Sequence, residues 1–141
     1  MIIKSFELKK IKSSNSPLIL IYGNNEGLKE QIIQDCFLKD FKGDILNYDE
    51  VDIINNKDEF LSSLLSKSLF ADNKIIIISR ATEKLNDTVV NIMEKNPSEI
   101  KIIIKTQNLE KKSKIRGLFE KEKNLLCIPV YEDDSRSLTP I

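Results

Sequence analysis

The most constraining feature of the sequence is a run of four isoleucines, Ile75 to Ile78, bounded by Lys74 and by Ser79-Arg80. Four consecutive β-branched residues between polar neighbours predict a strand that is buried on both faces. Such a strand lies in the interior of a parallel sheet, with helices covering the sheet above and below. The run therefore predicts an α/β domain built around a parallel sheet.

Shorter apolar runs predict four more strands, and apolar residues at helical spacing predict helices between them. With the isoleucine run, the predicted strands are Leu18–Tyr22, Asp44–Tyr48, Ile100–Lys105 and Leu125–Val130. The predicted helices are 1–14, 28–37, 56–66, 83–95 and 111–121, the third opened by a capping box of Asn56 and Glu59. This alternation is typical of an α/β fold with a five-stranded, mostly parallel sheet flanked by helices.

The composition argues against several functional classes. Basic and acidic residues each number 22, so no net charge draws the chain to nucleic acid or to an anionic membrane. Histidine, the commonest general base and metal ligand, is absent. No apolar stretch approaches the ~20 residues of a membrane span. Cys36 and Cys127 each lie in an apolar run, which predicts reduced core thiols in a cytoplasmic protein.

The turn after the first predicted strand is the place to look for nucleotide binding, because parallel sheets bind ligands where strands end and helices begin. A phosphate-binding loop has the pattern Gly-x4-Gly-Lys-Ser/Thr. Counted from Gly23, Leu28 replaces the second glycine, Lys29 is in place and Glu30 replaces the hydroxyl residue. We expect Leu28 to block the approach of phosphate and Glu30 to repel it. The loop, with Gly23, Gly27 and Lys29, is thus degenerate, and no cofactor is expected.

Other polar positions give no catalytic pattern. The acidic pair that holds magnesium in an ATPase is missing after the isoleucine run, where Ser79-Arg80 stand instead. Asp49-Glu50 are interpreted as solvated loop acids, and Thr106-Gln107-Asn108 as caps of the following helix. Without histidine, a cysteine–base pair or a Gly-x-Ser-x-Gly motif, neither a catalytic site nor a metal site is expected.

Three stretches, in their order and spacing, resemble one family: 18–23 leading into Asn24-Asn25-Glu26, 68–71 opening onto the isoleucine run, and 111–116 before the last strand. They resemble the N-terminal domain of the bacterial DNA polymerase III delta subunit, over about residues 1–138. The resemblance implies a degenerate AAA+-like module of P-loop type that does not bind ATP. Family members continue into a helical lid and a collar domain, so residues 1–141 are expected to be a single N-terminal domain.

The resemblance also implies a function in DNA replication. In that family the delta subunit binds the ring-shaped sliding clamp and holds one interface open, so that the clamp loader can place the ring around primed DNA. The clamp-binding residues map onto Ser68, Leu69, Phe70 and Ala71, with Leu69 and Phe70 as apolar anchors. The chain is then a subunit of a DNA-directed DNA polymerase holoenzyme without a catalytic site of its own.

The implied partners follow from the same resemblance. They are the sliding clamp (the beta subunit) and, through regions largely missing here, the delta prime and gamma/tau subunits. DNA is reached indirectly through the complex, and no membrane is involved.

Two alternatives stay open. Leu69 and Phe70 are either exposed anchors or part of the core. Clamp-binding peptides usually read Gln-Leu-x-Leu-Phe, whereas Ser66-Lys67-Ser68 precede the pair here, so only the final Leu-Phe matches. The alternative function is a P-loop-type nucleotide-binding protein or enzyme with an eroded motif.

Overall fold

The computed structural model describes residues 2–4, 7–13, 16–39, 41–65, 74–95, 100–107, 109–110, 112–122 and 124–130. Its five strands are β1 (Leu18–Tyr22), β2 (Asp44–Asp49), β3 (Lys74–Ala81), β4 (Ile100–Thr106) and β5 (Leu125–Pro129). They form one sheet in the order β2-β3-β4-β1-β5, and every pairing between neighbours is parallel. The predicted five-stranded parallel sheet is confirmed.

Helices cover both faces of this sheet. One face carries α1 (Leu8–Ser13) and α2 (Glu26–Ile33), which continues into a π-helical turn (Gln34–Leu38). The other face carries α3 (Glu50–Asn55), α4 (Lys57–Leu65), a 3₁₀ turn (Glu83–Leu85) that leads into α5 (Asn86–Lys95), and α6 (Lys114–Lys121). The domain therefore has two apolar layers, one on each side of the sheet.

The isoleucine run shows how one strand serves both layers. Ile76 and Ile78 pack with the helices α3 to α6, whereas Ile75 and Ile77 pack on the side of α1 and α2. None of the four is more than 6% exposed. Burial of each isoleucine side chain contributes about 1.5–3 kcal/mol to folding. The prediction of a strand buried on both faces is confirmed.

The N-terminal segment differs from the prediction. The helix predicted over residues 1–14 begins only at Leu8. Before it, Ile2 forms a parallel bridge with Cys127, and the N–H of Ile3 donates to the carbonyl oxygen of Cys127 at 3.0 Å. This extended stretch satisfies backbone groups on the outer edge of β5, which a helix in the same place would leave unpaired.

Helix α3 was not predicted and follows directly from β2. Its N-cap residue is Asp49, whose backbone N–H donates to the Asp52 carboxylate at 3.3 Å. The helix predicted to start at Asn56 is α4, which begins at Lys57, and the carbonyl oxygen of Asn56 accepts the N–H of Phe60 at 2.9 Å. Asn56 is also the C-cap of α3, where its side-chain amide donates to the carbonyl oxygen of Asp52. An Asp-x-x-Asp pair is a weaker signal than Ser or Thr followed by Glu, which explains why the sequence pattern missed this helix.

The two cysteines lie on opposite faces of the sheet and form no disulfide, as predicted. Cys127 is fully buried in β5, and this burial raises the pKa of its thiol to about 12. Cys36 is half-buried in the π-helical turn. Since the thiolate is the reactive form, only Cys36 should react with a thiol reagent in the folded protein near pH 8.

We therefore expect Ellman's reagent to modify one thiol per native chain and two in denaturant. Cys36→Ala is the control and should remove the native reaction while leaving one thiol in denaturant. Rapid native modification of two thiols would contradict the placement of Cys127, as would an intramolecular bridge detected by mass spectrometry.

Candidate functional site

A crevice of about 900 Å³ lies at the carboxyl ends of β2, β3 and β4, beside the first turn of α2. This is the edge at which parallel α/β sheets bind ligands. Its lining includes Glu26 and Lys29 of α2, Arg80 at the end of β3, and Thr106 at the end of β4. Lys29 of the degenerate loop therefore lies at the edge of the sheet where a nucleotide would be expected to bind.

Lys29 is already bound by the protein itself. Only 1% of this residue is exposed. Its Nζ donates to Oε1 of Glu26 at 2.6 Å and to the backbone carbonyl oxygen of Thr106 at 2.8 Å. The ammonium group is thereby paired with a carboxylate of its own helix and attached to the end of β4.

The fold accounts for Gly23 without any ligand. Its φ of 136° is a backbone conformation that other residues rarely adopt. A Cβ at this position would lie 1.6 Å from the carbonyl oxygen of Val130. The N–H of Val130 also donates to the carbonyl oxygen of Tyr22 at 2.7 Å, so the backbone after β5 passes directly against the turn.

The N-terminus of α2 is also satisfied internally. The side-chain oxygen of Asn25 accepts the N–H of Leu28 at 3.0 Å, an amide that a phosphate-binding loop would direct at its ligand. The Leu28 side chain packs in the apolar layer beside α1, so the expected obstruction by this side chain is wrong. Glu30 forms an ion pair with Lys105.

The end of β3 is distorted beside the crevice. Arg80 has a φ of 57°, and the pairing of β3 with β4 shifts register between Ile78 and Ala81. A left-handed conformation at a residue other than glycine costs about 1–2 kcal/mol. The guanidinium of Arg80 lies 3.7 Å from the Asp49 carboxylate. Ser79 and Arg80, which stand where an ATPase has its magnesium-binding acids, thus lie in an irregular end of β3. Arg80 forms an ion pair at the surface.

Glu50 is not a solvated loop acid, which corrects the sequence interpretation. Only 7% of it is exposed, and its carboxylate accepts the backbone N–H of Thr82 at 2.8 Å. The Thr82 hydroxyl lies 3.0 and 2.9 Å from the two carboxylate oxygens. Hydrogen bonds to charged groups contribute about 1.5–3 kcal/mol each. Glu50 therefore attaches the start of α3 to the segment after β3, a contact that local sequence gives no means to find.

The polar residues after β4 do not cap the next helix. The N-cap of α6 is Ser113, whose hydroxyl oxygen accepts the N–H of Arg116 at 3.2 Å. Glu83 supports this helix start, because its carboxylate accepts the N–H of Lys114 at 3.0 Å. Thr106 is buried and its hydroxyl donates to the carbonyl oxygen of Gln107, while Asn108 lies outside the described residues.

Ser68, Leu69, Phe70 and Ala71, the predicted clamp-binding residues, also lie outside the described residues. The flanking elements are α4, which ends at Leu65, and β3, which begins at Lys74. If Leu69 and Phe70 are exposed anchors, their truncation should weaken clamp binding. If they belong to the core, truncation should lower the stability of the fold.

Within the described part of the chain, no three potential metal-binding side chains converge. The helices described there are all too short or too polar to cross a membrane.

Comparison with known proteins gives a family match and matches among solved structures. A family model described as "DNA polymerase III, delta subunit" matches residues 20–128. Among solved structures, a DNA polymerase III gamma subunit-related protein from Thermotoga maritima matches with a TM-score of 0.53 and 17% sequence identity. The match covers 87% of this chain and 44% of that one, so the chain spans less than half of that protein and shares its fold. No curated protein matches the chain.

Proposed function

Because the chain belongs to the DNA polymerase III delta subunit family, whose role is in DNA replication, we propose that it binds the sliding clamp and helps to open the ring for loading onto primed DNA. The observation that carries the proposal is the family match over residues 20–128, which spans the five strands almost completely. The all-parallel sheet and its likeness to a gamma subunit-related protein agree with a clamp-loader-like AAA+ fold. The other proposed partners are the delta prime and gamma/tau subunits, in the cytoplasm.

The proposed clamp contact is Ser68–Ala71, between two anchored elements. Helix α4 is held by the buried residues Phe60 and Leu61, and the ring of Phe60 meets that of Tyr48 edge-on at 5.5 Å. Strand β3 is fixed by its pairing with β2 and β4. Fixed ends reduce the conformational entropy lost when a connecting segment binds a partner.

Leu69 and Phe70 supply part of the required affinity. Burial of these two side chains gives about 1.5–3 kcal/mol each before ordering costs. A micromolar complex requires about 8 kcal/mol. We therefore propose that backbone contacts around Ser68 and Ala71, together with the surface of α4, provide the remainder.

The direct test is titration of the purified chain with the sliding clamp of the same organism in a calorimeter. We expect saturable binding with a dissociation constant of about 10 μM or tighter, equivalent to about 7 kcal/mol. Absence of binding at about 100 μM clamp would contradict the proposal. Titration of bovine serum albumin controls for nonspecific association.

The alternative function is tested by the same method with ATP and magnesium. We expect no heat beyond dilution, because Lys29 is bound by Glu26 and Thr106 and the N-terminus of α2 is capped by Asn25. Injection of ATP and magnesium into buffer is the control. A dissociation constant tighter than about 100 μM, or about 5.5 kcal/mol, would instead favour a nucleotide-binding protein.

A further inference from the structure

The contact between Glu26 and Lys29 differs from the other ion pairs of the crevice. Among the described residues that line it, the cations are Lys29, Arg80 and Lys105, and each has a carboxylate partner. Lys29 is almost completely buried, whereas the side chain of its partner Glu26 is 64% exposed. The buried ammonium group of Lys29 is thus paired with a Glu26 carboxylate that is accessible to solvent in the crevice.

Removal of that carboxylate would leave the ammonium group in an unfavourable state. The Nζ of Lys29 would keep the carbonyl oxygen of Thr106 as its acceptor but lose its negative partner. A buried charge without a partner of opposite sign is strongly unfavourable. An anion that enters from the crevice could replace the Glu26 carboxylate without disturbing the apolar layers, because the Glu26 side chain lies on the open side.

We propose that the Glu26 carboxylate is a built-in anion that occupies the crevice at Lys29 and excludes phosphate groups from it. The site is thus closed by the chain itself, and loss of one carboxylate opens it to a di- or triphosphate group. This contact also explains how the charge of a fully buried lysine is maintained within the fold. The inference concerns the crevice and does not rest on clamp binding at 68–71.

The test compares the wild-type chain with Glu26→Ala in thermal unfolding, with inorganic pyrophosphate as the probe and chloride at equal ionic strength as the reference. Glu26→Ala should lower the Tm by about 3–8 °C in chloride. Pyrophosphate at about 10 mM should restore at least half of that loss, since a ligand that binds only the folded state raises its stability. The wild-type Tm should not respond to pyrophosphate relative to chloride.

Two further variants make the result specific. Glu94→Ala removes an exposed carboxylate of α5 that does not line the crevice and leaves the partner of Lys29 in place, so it should show no response to pyrophosphate. Glu26→Ala combined with Lys29→Met should lose the response of the single variant. If Glu26→Ala does not fold, Glu26→Gln keeps the side-chain volume and is titrated with pyrophosphate by ³¹P NMR.

The inference is wrong if Glu26→Ala and Glu94→Ala respond equally to pyrophosphate, because the effect would then be a general one of net charge. It is also wrong if neither Glu26 variant responds, or if the response survives the loss of Lys29. Clamp binding by the wild-type chain is a separate measurement, so either proposal can fail alone.

Discussion

Replacement of Leu69 and Phe70 together by alanine is expected to abolish measurable binding to the sliding clamp while the unfolding temperature stays unchanged. Apolar anchors at the centre of an interface cost about 2–4 kcal/mol each when truncated. Each change alone should therefore weaken binding by about 30-fold to about 900-fold. An exposed apolar side chain stabilises the free domain little, because single apolar residues at surfaces are ordinary.

The matched control is Val51→Ala, which removes an apolar side chain that is 59% exposed on α3. It should change neither clamp binding nor melting. The core interpretation expects a different result, since truncation of a buried phenylalanine lowers folding stability by about 3–5 kcal/mol. A marked drop in the melting temperature of Phe70→Ala would contradict the anchor proposal, and so would clamp binding by the double variant.

Gly23→Ala is expected to remove several kcal/mol of folding stability. A strained backbone conformation costs about 1–3 kcal/mol, and forced displacement of packed atoms adds a similar amount. The displaced atoms would be those of the Val130 backbone, whose carbonyl oxygen occupies the position of the new methyl group. Small domains have only about 5–15 kcal/mol of stability, so a large part would be lost. Urea unfolding followed by circular dichroism measures the change.

Gly27→Ala is the matched control in the same turn. Gly27 lies in α2, and a Cβ there would have only ordinary contact with Asn25, at 3.8 Å. Alanine is favoured over glycine within a helix, so this variant should be more stable by about 0.5–1 kcal/mol. If Gly23→Ala and the wild type have equal free energies of unfolding, the prediction is wrong, and the backbone at Val130 can move away without loss of stability.

The sheet could be predicted because its signals are local. Every strand except β2 contains a short apolar run, and the isoleucine run is buried on both faces as its composition indicates. The N-terminal stretch could not be predicted, because Ile2 and Ile3 pair with Cys127 at the far end of the chain. Apolar residues among lysines fit an amphipathic helix equally well until that partner is known.

The crevice was predictable only in part. Sequence alignment with a phosphate-binding loop identified Lys29, and Glu26 lies three residues before it on the same helix, a spacing that favours an ion pair. The carbonyl oxygen of Thr106 could not be anticipated, because its approach depends on β1 lying beside β4. The contact of Glu50 with Thr82 likewise depends on β2 lying beside β3. The clamp-binding residues came from family resemblance alone.

The position of β1 in the sheet has a consequence for the synthesis of the chain. This strand lies between β4 and β5, although it precedes both by many residues. Translation proceeds at about 5–20 residues per second, so roughly 4–17 s pass between the synthesis of β1 and that of the whole of β4. During this interval β2 and β3 can pair, but the apolar strand Leu18–Tyr22 has neither of its neighbours. The nascent chain therefore presents an aggregation-prone segment that a chaperone would need to cover until its two partners emerge.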